Sequence, residues 1–190
     1  MYIVAIAAST GGPRALEQLF STLPGDLPAA FLVVQHMPPE FTFSFACRLD
    51  KLSKLKVKEA EHGDRLSRGT VFVAPGGLHM SLSSAGTILL QGGELVNHVR
   101  PAADVLFYSL AEYHEPQRVI AVVLTGMGCD GAKGCARLKK AGALTIAEDP
   151  RTALINGMPQ AAVRSGAHLV LPLPEIPKAL IQIMRKEGSS

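Results

Sequence analysis

The chain alternates short apolar runs with stretches in which apolar residues recur three or four positions apart. The runs lie at 3–8, 30–34, 71–74, 119–124, 143–147 and 168–171. Near-continuous and rich in β-branched residues, they predict strands buried on both faces, as in a parallel sheet. Between them Ala15-Leu16-Leu19-Phe20-Leu23, Phe41-Phe45-Leu49-Leu52-Leu55 and Ile176-Ala179-Leu180-Ile183 repeat at helical spacing and predict covering helices. Segments 80–82 and 88–90, separated by Ser83-Ser84-Ala85-Gly86-Thr87, predict an antiparallel hairpin inserted before a helix over 102–114. The fold class is α/β: a doubly wound, mostly parallel sheet with helices on both faces and an inserted antiparallel hairpin. One domain over 1–187 accounts for the pattern, with Gly188-Ser189-Ser190 as a frayed tail.

Composition narrows the classes. With 190 residues and 47% hydrophobic content, one domain can bury a sizeable core. A net charge of +3 is too small and too scattered to argue for nucleic acid, and the basic cluster over 51–58 interleaves with leucines as a solvated helix face would. The N-terminal apolar run is too short for a membrane span and lacks the flanks of a signal peptide, so no membrane insertion is expected and the cytoplasm is the default location. Cys47, Cys129 and Cys135 are odd in number and lack zinc-ligand spacing, which points to reduced thiols.

The first strand stops abruptly at Ser9-Thr10-Gly11-Gly12-Pro13. Two glycines permit a sharp turn and Pro13 suits the start of a helix, so a hydroxyl is presented at a strand end. Ala7-Ala8-Ser9-Thr10-Gly11 has Ala where a nucleophile elbow has its first Gly. Ser9 therefore has two readings, a nucleophile or a helix cap. In a doubly wound sheet, ligands sit beyond the carboxyl ends of the strands where the strand order reverses. Ser9 follows the first strand, Gln35-His36 the second, and Thr125-Gly126-Met127-Gly128-Cys129-Asp130-Gly131 the strand over 119–124. A hydroxyl, an imidazole and a carboxylate converging at that edge supply a nucleophile, its base and an anion to orient the base. Singly, a strand-end His is more often structural and an Asp in a glycine loop is usually a turn residue.

A rival lies in the same loop. Gly126-x-Gly128-x-x-Gly131 follows a strand, opens a helix through Leu138, and is followed by Glu148 and Asp149, in the manner of a dinucleotide fingerprint. Asp130 counts against it, because a carboxylate beside a pyrophosphate costs about 4 kcal/mol per charge pair at ~4 Å and an effective dielectric of ~20. The fingerprint also normally follows the first strand of its unit, where this chain has the Ser9 turn.

Several segments together resemble a known family: Ala8-Ser9-Thr10-Gly11-Gly12-Pro13, Val34-Gln35-His36-Met37-Pro38, Ala74-Pro75-Gly76-Gly77-Leu78-His79-Met80, Arg100-Pro101-Ala102-Ala103-Asp104-Val105-Leu106-Phe107 and Leu124-Thr125-Gly126-Met127-Gly128-Cys129-Asp130-Gly131. They are similar to the catalytic domain of bacterial chemotaxis protein-glutamate methylesterases over nearly the whole chain. The resemblance implies a catalytic triad of Ser9, His36 and Asp130, the Met127 backbone amide as oxyanion donor, and Thr10 as a hydroxyl near the imidazole. It implies hydrolysis of glutamyl methyl esters on chemoreceptor helices, deamidation of glutamine by the same chemistry, and no cofactor. Partners would be methylated chemoreceptor cytoplasmic helices, with a separate receiver or kinase protein as a further one. A catalytically inactive interaction module of the same fold is the alternative, and a dinucleotide-binding protein the third reading. His79 and His98 are read as structural or surface residues.

Two departures stand out. Most members of the family carry a receiver domain ahead of the esterase, whereas Met1 here lies directly at the first strand, leaving a stand-alone esterase and a fragment both open. The isolated chain is then expected to be constitutively active and indifferent to small phosphodonors. The segment Glu148-Asp149-Pro150-Arg151-Thr152-Ala153 also differs from the Gln-Asp-Glu with a following Ser that the family would have, a difference that bears on substrate or partner choice.

Overall fold

The computed structural model describes residues 1–186. Seven parallel strands form one sheet in the order β3-β4-β2-β1-β7-β8-β9: Lys56–Glu59, Thr70–Val73, Ala29–Gln35, Tyr2–Ala8, Val119–Val123, Leu144–Glu148 and Leu169–Leu171. A separate antiparallel pair, β5 (His79–Leu82) and β6 (Ile88–Gln91), is the inserted hairpin. Six α-helices cover the sheet: α1 (Gly12–Thr22), α2 (Pro39–Leu52), α3 (Ala103–Ala111), α4 (Ala132–Ala141), α5 (Gly157–Arg164) and α6 (Glu175–Lys186).

Strand alternation divides the core in two. Val4, Ile6, Phe31, Val33, Ile120 and Val122 pack under α1, α2 and α6, where Leu16, Phe20, Leu49 and Leu180 meet them. Ile3, Ala5, Ala7, Leu32, Val34, Ala121 and Val123 face the other way, against Leu106, Phe107, Leu138 and Met158 of α3, α4 and α5 and Met80 of the hairpin. Both faces of β1, β2 and β7 are thus apolar because both are covered, which is why these strands carry no polar alternation. Each large side chain so buried contributes roughly 1.5–3 kcal/mol.

The basic cluster is the main correction. Segment 51–58 is not one helix face: α2 ends at Leu52, Ser53 is extended, and Lys56–Glu59 forms the edge strand β3. Asp50 Oδ1 accepts the Val57 amide at 2.7 Å, and Val57 is buried between exposed Lys56 and half-buried Lys58. Charged side chains on an edge discourage pairing with other chains, so composition resembling a solvated helix is equally that of a protected edge. Leu55 consequently lies beyond α2, and Phe41 and Leu52, read as core-facing, are about half exposed. Helix α5 had no counterpart in the sequence reading, being only two turns long. The tail at 188–190 lies outside the described residues, and none of the described helices is long and apolar enough to cross a membrane.

The strand order reverses at the β1/β7 boundary: from β1 the chain goes to β2 on one side, and later to β7 on the other. The crevice above that boundary is where the polar residues gather.

Candidate active site

Ser9 and His36 stand one residue beyond β1 and β2, and the strand register carries on to them: Ala8 pairs with Gln35, and the His36 amide donates to Ala8 O at 3.0 Å. The Ser9 amide donates to Thr125 O at 3.0 Å, and Ser9 O accepts the Gly12 amide at 2.8 Å and Gln35 Nε2 at 2.9 Å. Gln35 also donates to His36 O at 3.0 Å, so one buried side chain ties the two loops together. The turn needs both glycines. Gly11 has φ +83°, and a Cβ on Gly12 would lie 1.9 Å from Gln35 Oε1.

Of the two readings of Ser9, the cap is not what the fold uses. Gly11 occupies the N-cap of α1, which has no side-chain capping bond. Ser9 and Thr10 instead line an open cavity of about 370 Å³ together with Gly11, Pro13, Gln35, His36, Met37, Pro38 and Phe41. Among the described residues the Ser9 hydroxyl makes no hydrogen bond, and none joins the Thr10 hydroxyl to His36.

The carboxylate side is built differently. His36 Nε2 lies 2.7 Å from Asp130 Oδ2, and Asp130 is 2% exposed. The same carboxylate accepts the backbone amides of Ala103 at 2.6 Å and Asp104 at 3.1 Å, the first two of α3, and Asn97 Nδ2 at 2.8 Å. Asp104 in turn accepts the Gly134 amide, in the first turn of α4, at 2.6 Å, and Asn97 Nδ2 at 2.8 Å. The helices thus cap each other: Asp130, two residues ahead of α4, serves the N-terminus of α3, and Asp104 of α3 serves that of α4. Orphan amides and the positive end of the helix dipole favour an anion at each place. Burial works to raise the Asp130 carboxyl, but the bonds from His36 and from the Ala103 and Asp104 amides outweigh it and hold it below the ordinary carboxylate value. At Asp104 burial prevails over the Gly134 and Asn97 bonds, and the carboxyl is pushed up.

The glycine loop reaches Ser9 from the β7 side. A Cβ on Gly126 would lie 2.3 Å from Met158 Sδ and 2.7 Å from the Ser9 Cβ, so only glycine lets this backbone pass beside Ser9. The Met127 amide makes no backbone hydrogen bond among the described residues, and its side chain is 72% exposed. Segment 148–153, where the sequence departs from the expected pattern, and the residues just after it are stitched to this loop. Glu148 Oε2 accepts the Thr125 amide at 2.8 Å, Gly126 N donates to Ile155 O at 3.0 Å, and Thr125 Oγ1 donates to Thr10 O at 2.9 Å. Burial pushes the Glu148 carboxyl up against the opposing bond from Thr125. Asp149 is held down at about 2 by hydrogen bonds from Arg151.

Ser9, His36 and Asp130 therefore meet at one edge, with Thr10 and Met127 beside them. His79 is structural: Nε2 donates to Glu94 O at 2.9 Å and Nδ1 accepts the Ala102 amide at 3.2 Å. Neither Asn97 nor Asp104 is legible from the sequence as a partner of Asp130, although Asp104 lies within the segment Arg100-Pro101-Ala102-Ala103-Asp104. Nothing in local pattern pairs a turn-tip amide with a carboxylate 33 positions away.

A hydroxyl, an imidazole and a buried carboxylate thus stand together at the switch point of a doubly wound α/β fold. The chain belongs to the CheB methylesterase family, whose sequence model matches residues 4–180. It is 52% identical over 179 residues to a protein-glutamate methylesterase/protein-glutamine glutaminase of Symbiobacterium thermophilum, covering 94% of this chain and 49% of that protein. A protein of the same name from Pyrococcus horikoshii is 49% identical, covering 98% of this chain and 52% of the relative. The chain thus spans about half the length of the curated relatives it matches. The crystal structure of the Thermotoga maritima CheB methylesterase catalytic domain superposes with a TM-score of 0.91 at 45% identity, covering 96% of this chain and 98% of that one.

Proposed function

We propose that this chain is a serine esterase that removes methyl groups from glutamyl methyl esters of chemoreceptor cytoplasmic helices and deamidates glutamine by the same route. The observation that carries the proposal is the 2.7 Å bond between His36 and buried Asp130, with His36 and a Ser9 hydroxyl that has no hydrogen bond among the described residues lining one cavity, within a chain of this family. Ser9 Oγ attacks the γ-carbonyl carbon. Because Nε2 of His36 is committed to Asp130, Nδ1 takes the serine proton and then delivers it to the departing methoxide, releasing methanol. The oxyanion accepts a hydrogen bond from the Met127 backbone amide, and Thr10, whose hydroxyl is not bonded to His36 among the described residues, lines the cavity beside the imidazole. Water, deprotonated by the same Nδ1, cleaves the acyl-enzyme, freeing the glutamate carboxylate and regenerating Ser9. With a glutamine side chain the leaving group is ammonia.

The surroundings suit a helical substrate. Phe41, 56% exposed, lines the open cavity, and Leu154 at 73% beside Gly11 and Met127 at 72% on the glycine loop offer further apolar contact. Asp130 uses its acceptor capacity on His36, Asn97 and two helix amides, and a pyrophosphate at that loop would meet its charge, so hydrolysis is favoured over dinucleotide binding. A separate receiver or kinase protein as partner and a cytoplasmic location belong to the same reading. The test is methanol release from methylated chemoreceptor membranes by the wild-type chain and by Ser9→Ala. Release by the first and not the second is expected; equal release by both would remove Ser9 as nucleophile.

A further inference from the structure

Residues 96–99 close a two-residue hairpin, in which the Val96 and Val99 backbones exchange both hydrogen bonds at 3.1 Å. Asn97 and Asn97's neighbour His98 both have positive φ, 52° and 64°, the pattern of a type I′ turn, where Asn is favoured because it tolerates left-handed backbone. The tip is anchored at its base. His79 bonds Glu94 O on one side and the Ala102 amide on the other, and the Gly77 amide donates to Arg100 O at 3.1 Å. From this tip the Asn97 amide nitrogen reaches two buried carboxylates at once, Asp130 Oδ1 and Asp104 Oδ2, each at 2.8 Å.

An amide NH2 has two protons and no charge, so it can donate to both carboxylates without adding to their repulsion. A carboxylate there could not donate, and a third buried anion would have no partner. A lysine would bring charge into a site already neutralised by helix ends. Fixing Oδ1 also fixes Oδ2, the oxygen that meets His36 Nε2. We infer that Asn97 is a positioning residue for the proposed hydrolysis: a neutral double donor that locks the Asp130 carboxylate in the orientation that holds His36. This inference rests on the esterase reading for its kinetic consequence but not for its structural one. Among the described residues, the charged and titratable groups around the Asn97 bridge include Asp104 and Tyr108 of α3, Asp130 and His36 of the site loops, and Lys133 and Cys135 of α4, the last two interacting with Asp104.

Three variants separate the bridge from the turn. Asn97→Gly keeps left-handed backbone and removes the amide; Asn97→Asp keeps shape and turn preference and removes the donors; Asn97→Ala removes the amide and strains the turn. Two readouts are taken on the folded chain: the downfield proton resonance of the His36–Asp130 hydrogen bond in the resting protein, and kcat and KM for methanol release from methylated receptor membranes. The expected result is a weakened or fast-exchanging resonance in all three, and kcat lowered about 10- to 100-fold with KM changed less than about threefold. In Asn97→Asp the acid limb of kcat/KM also moves to higher pH, because added negative charge favours protonated His36. If Asn97→Gly and Asn97→Asp leave both the resonance and kcat at wild-type values, the inference falls. An inactive wild-type chain would refute the esterase reading, while the resonance would still decide the role of Asn97.

Discussion

The two sides of the site are built on opposite principles. On the acid side Asp130 is sunk in the protein and its two oxygens take hydrogen bonds from four groups, His36, Asn97 and the Ala103 and Asp104 amides. On the other side, where the proposed nucleophile stands, the Ser9 hydroxyl has no hydrogen bond among the described residues, the Met127 amide has no backbone partner among them, and both border open space or solvent. The difference teaches where preorganisation is useful. A group that only orients and stabilises can be fully satisfied by the protein, at no cost to catalysis. Groups that must bond to substrate have to be left unsatisfied and held instead by their backbone, which is what the Thr125 and Gln35 contacts do for Ser9.

This contrast is broken most severely by substitutions on either side that have unlike effects on stability. Ser9→Ala should lower turnover on the order of 10⁴-fold while leaving thermal stability within about 0.5 kcal/mol of wild type. Asp130→Ala should lose as much turnover and also about 2–4 kcal/mol of stability, since His36, Asn97 and the Ala103 and Asp104 amides all lose the acceptor they share. Denaturant titration beside methanol release checks both. If Asp130→Ala unfolded like wild type, the mutual capping of α3 and α4 would not hold.

The same carboxylate should link stability to acid. Its folded value lies below the ordinary ~3.9, so its contribution is fully present above about pH 4 and fades as pH falls through the lower folded value. Asp130→Asn should flatten that part of the stability profile, and stability in the two proteins should differ least at the acid end. A difference that grew on acidification would reverse the sign assigned to Asp130.

A smaller effect comes from the backbone beside Ser9. Gly126→Ala brings a Cβ against Met158 and Ser9, so the Met127 amide must shift, and kcat should fall roughly 10- to 1,000-fold with a folded protein remaining. Retained kcat would mean that this loop does not carry the oxyanion donor. The smallest effect is at Glu148, whose folded value is raised, so its favourable contribution lies at acid pH and is lost as pH rises through that value. Glu148→Gln can still accept the Thr125 amide and should be equal to or slightly more stable than wild type near neutral pH, by no more than about 1 kcal/mol. A marked loss there would indicate that the carboxylate charge itself is needed.

What could be read from sequence follows the same division. Ser9 and His36 were legible because each ends an unbroken apolar strand, and the parallel-sheet rule then assigns both to one edge. Asp130 was legible through the glycine loop that follows β7. Asn97 and Asp104 were not, because their meaning arises only where the tip of a hairpin meets the facing N-termini of α3 and α4. Likewise Lys56–Glu59 has too few residues for its alternation to outweigh its charge, and only the hydrogen bonds to β4 make it a strand. Helix α5 buries Met158, Ala161 and Ala162, too small an apolar set to stand out from a loop.

In the proposed mechanism the Ser9 hydroxyl, which has no hydrogen bond among the described residues, becomes nucleophilic only through a rigidly held His36 and Asp130. Covalent labelling with a serine-directed organophosphorus reagent, located by mass spectrometry in wild type, His36→Ala and Asp130→Asn, tests this most directly. The expected result is a single label on Ser9 in wild type, formed far more slowly in both variants although each remains folded. Labelling of Ser9 at the same rate in all three proteins, or at another residue in wild type, would contradict it.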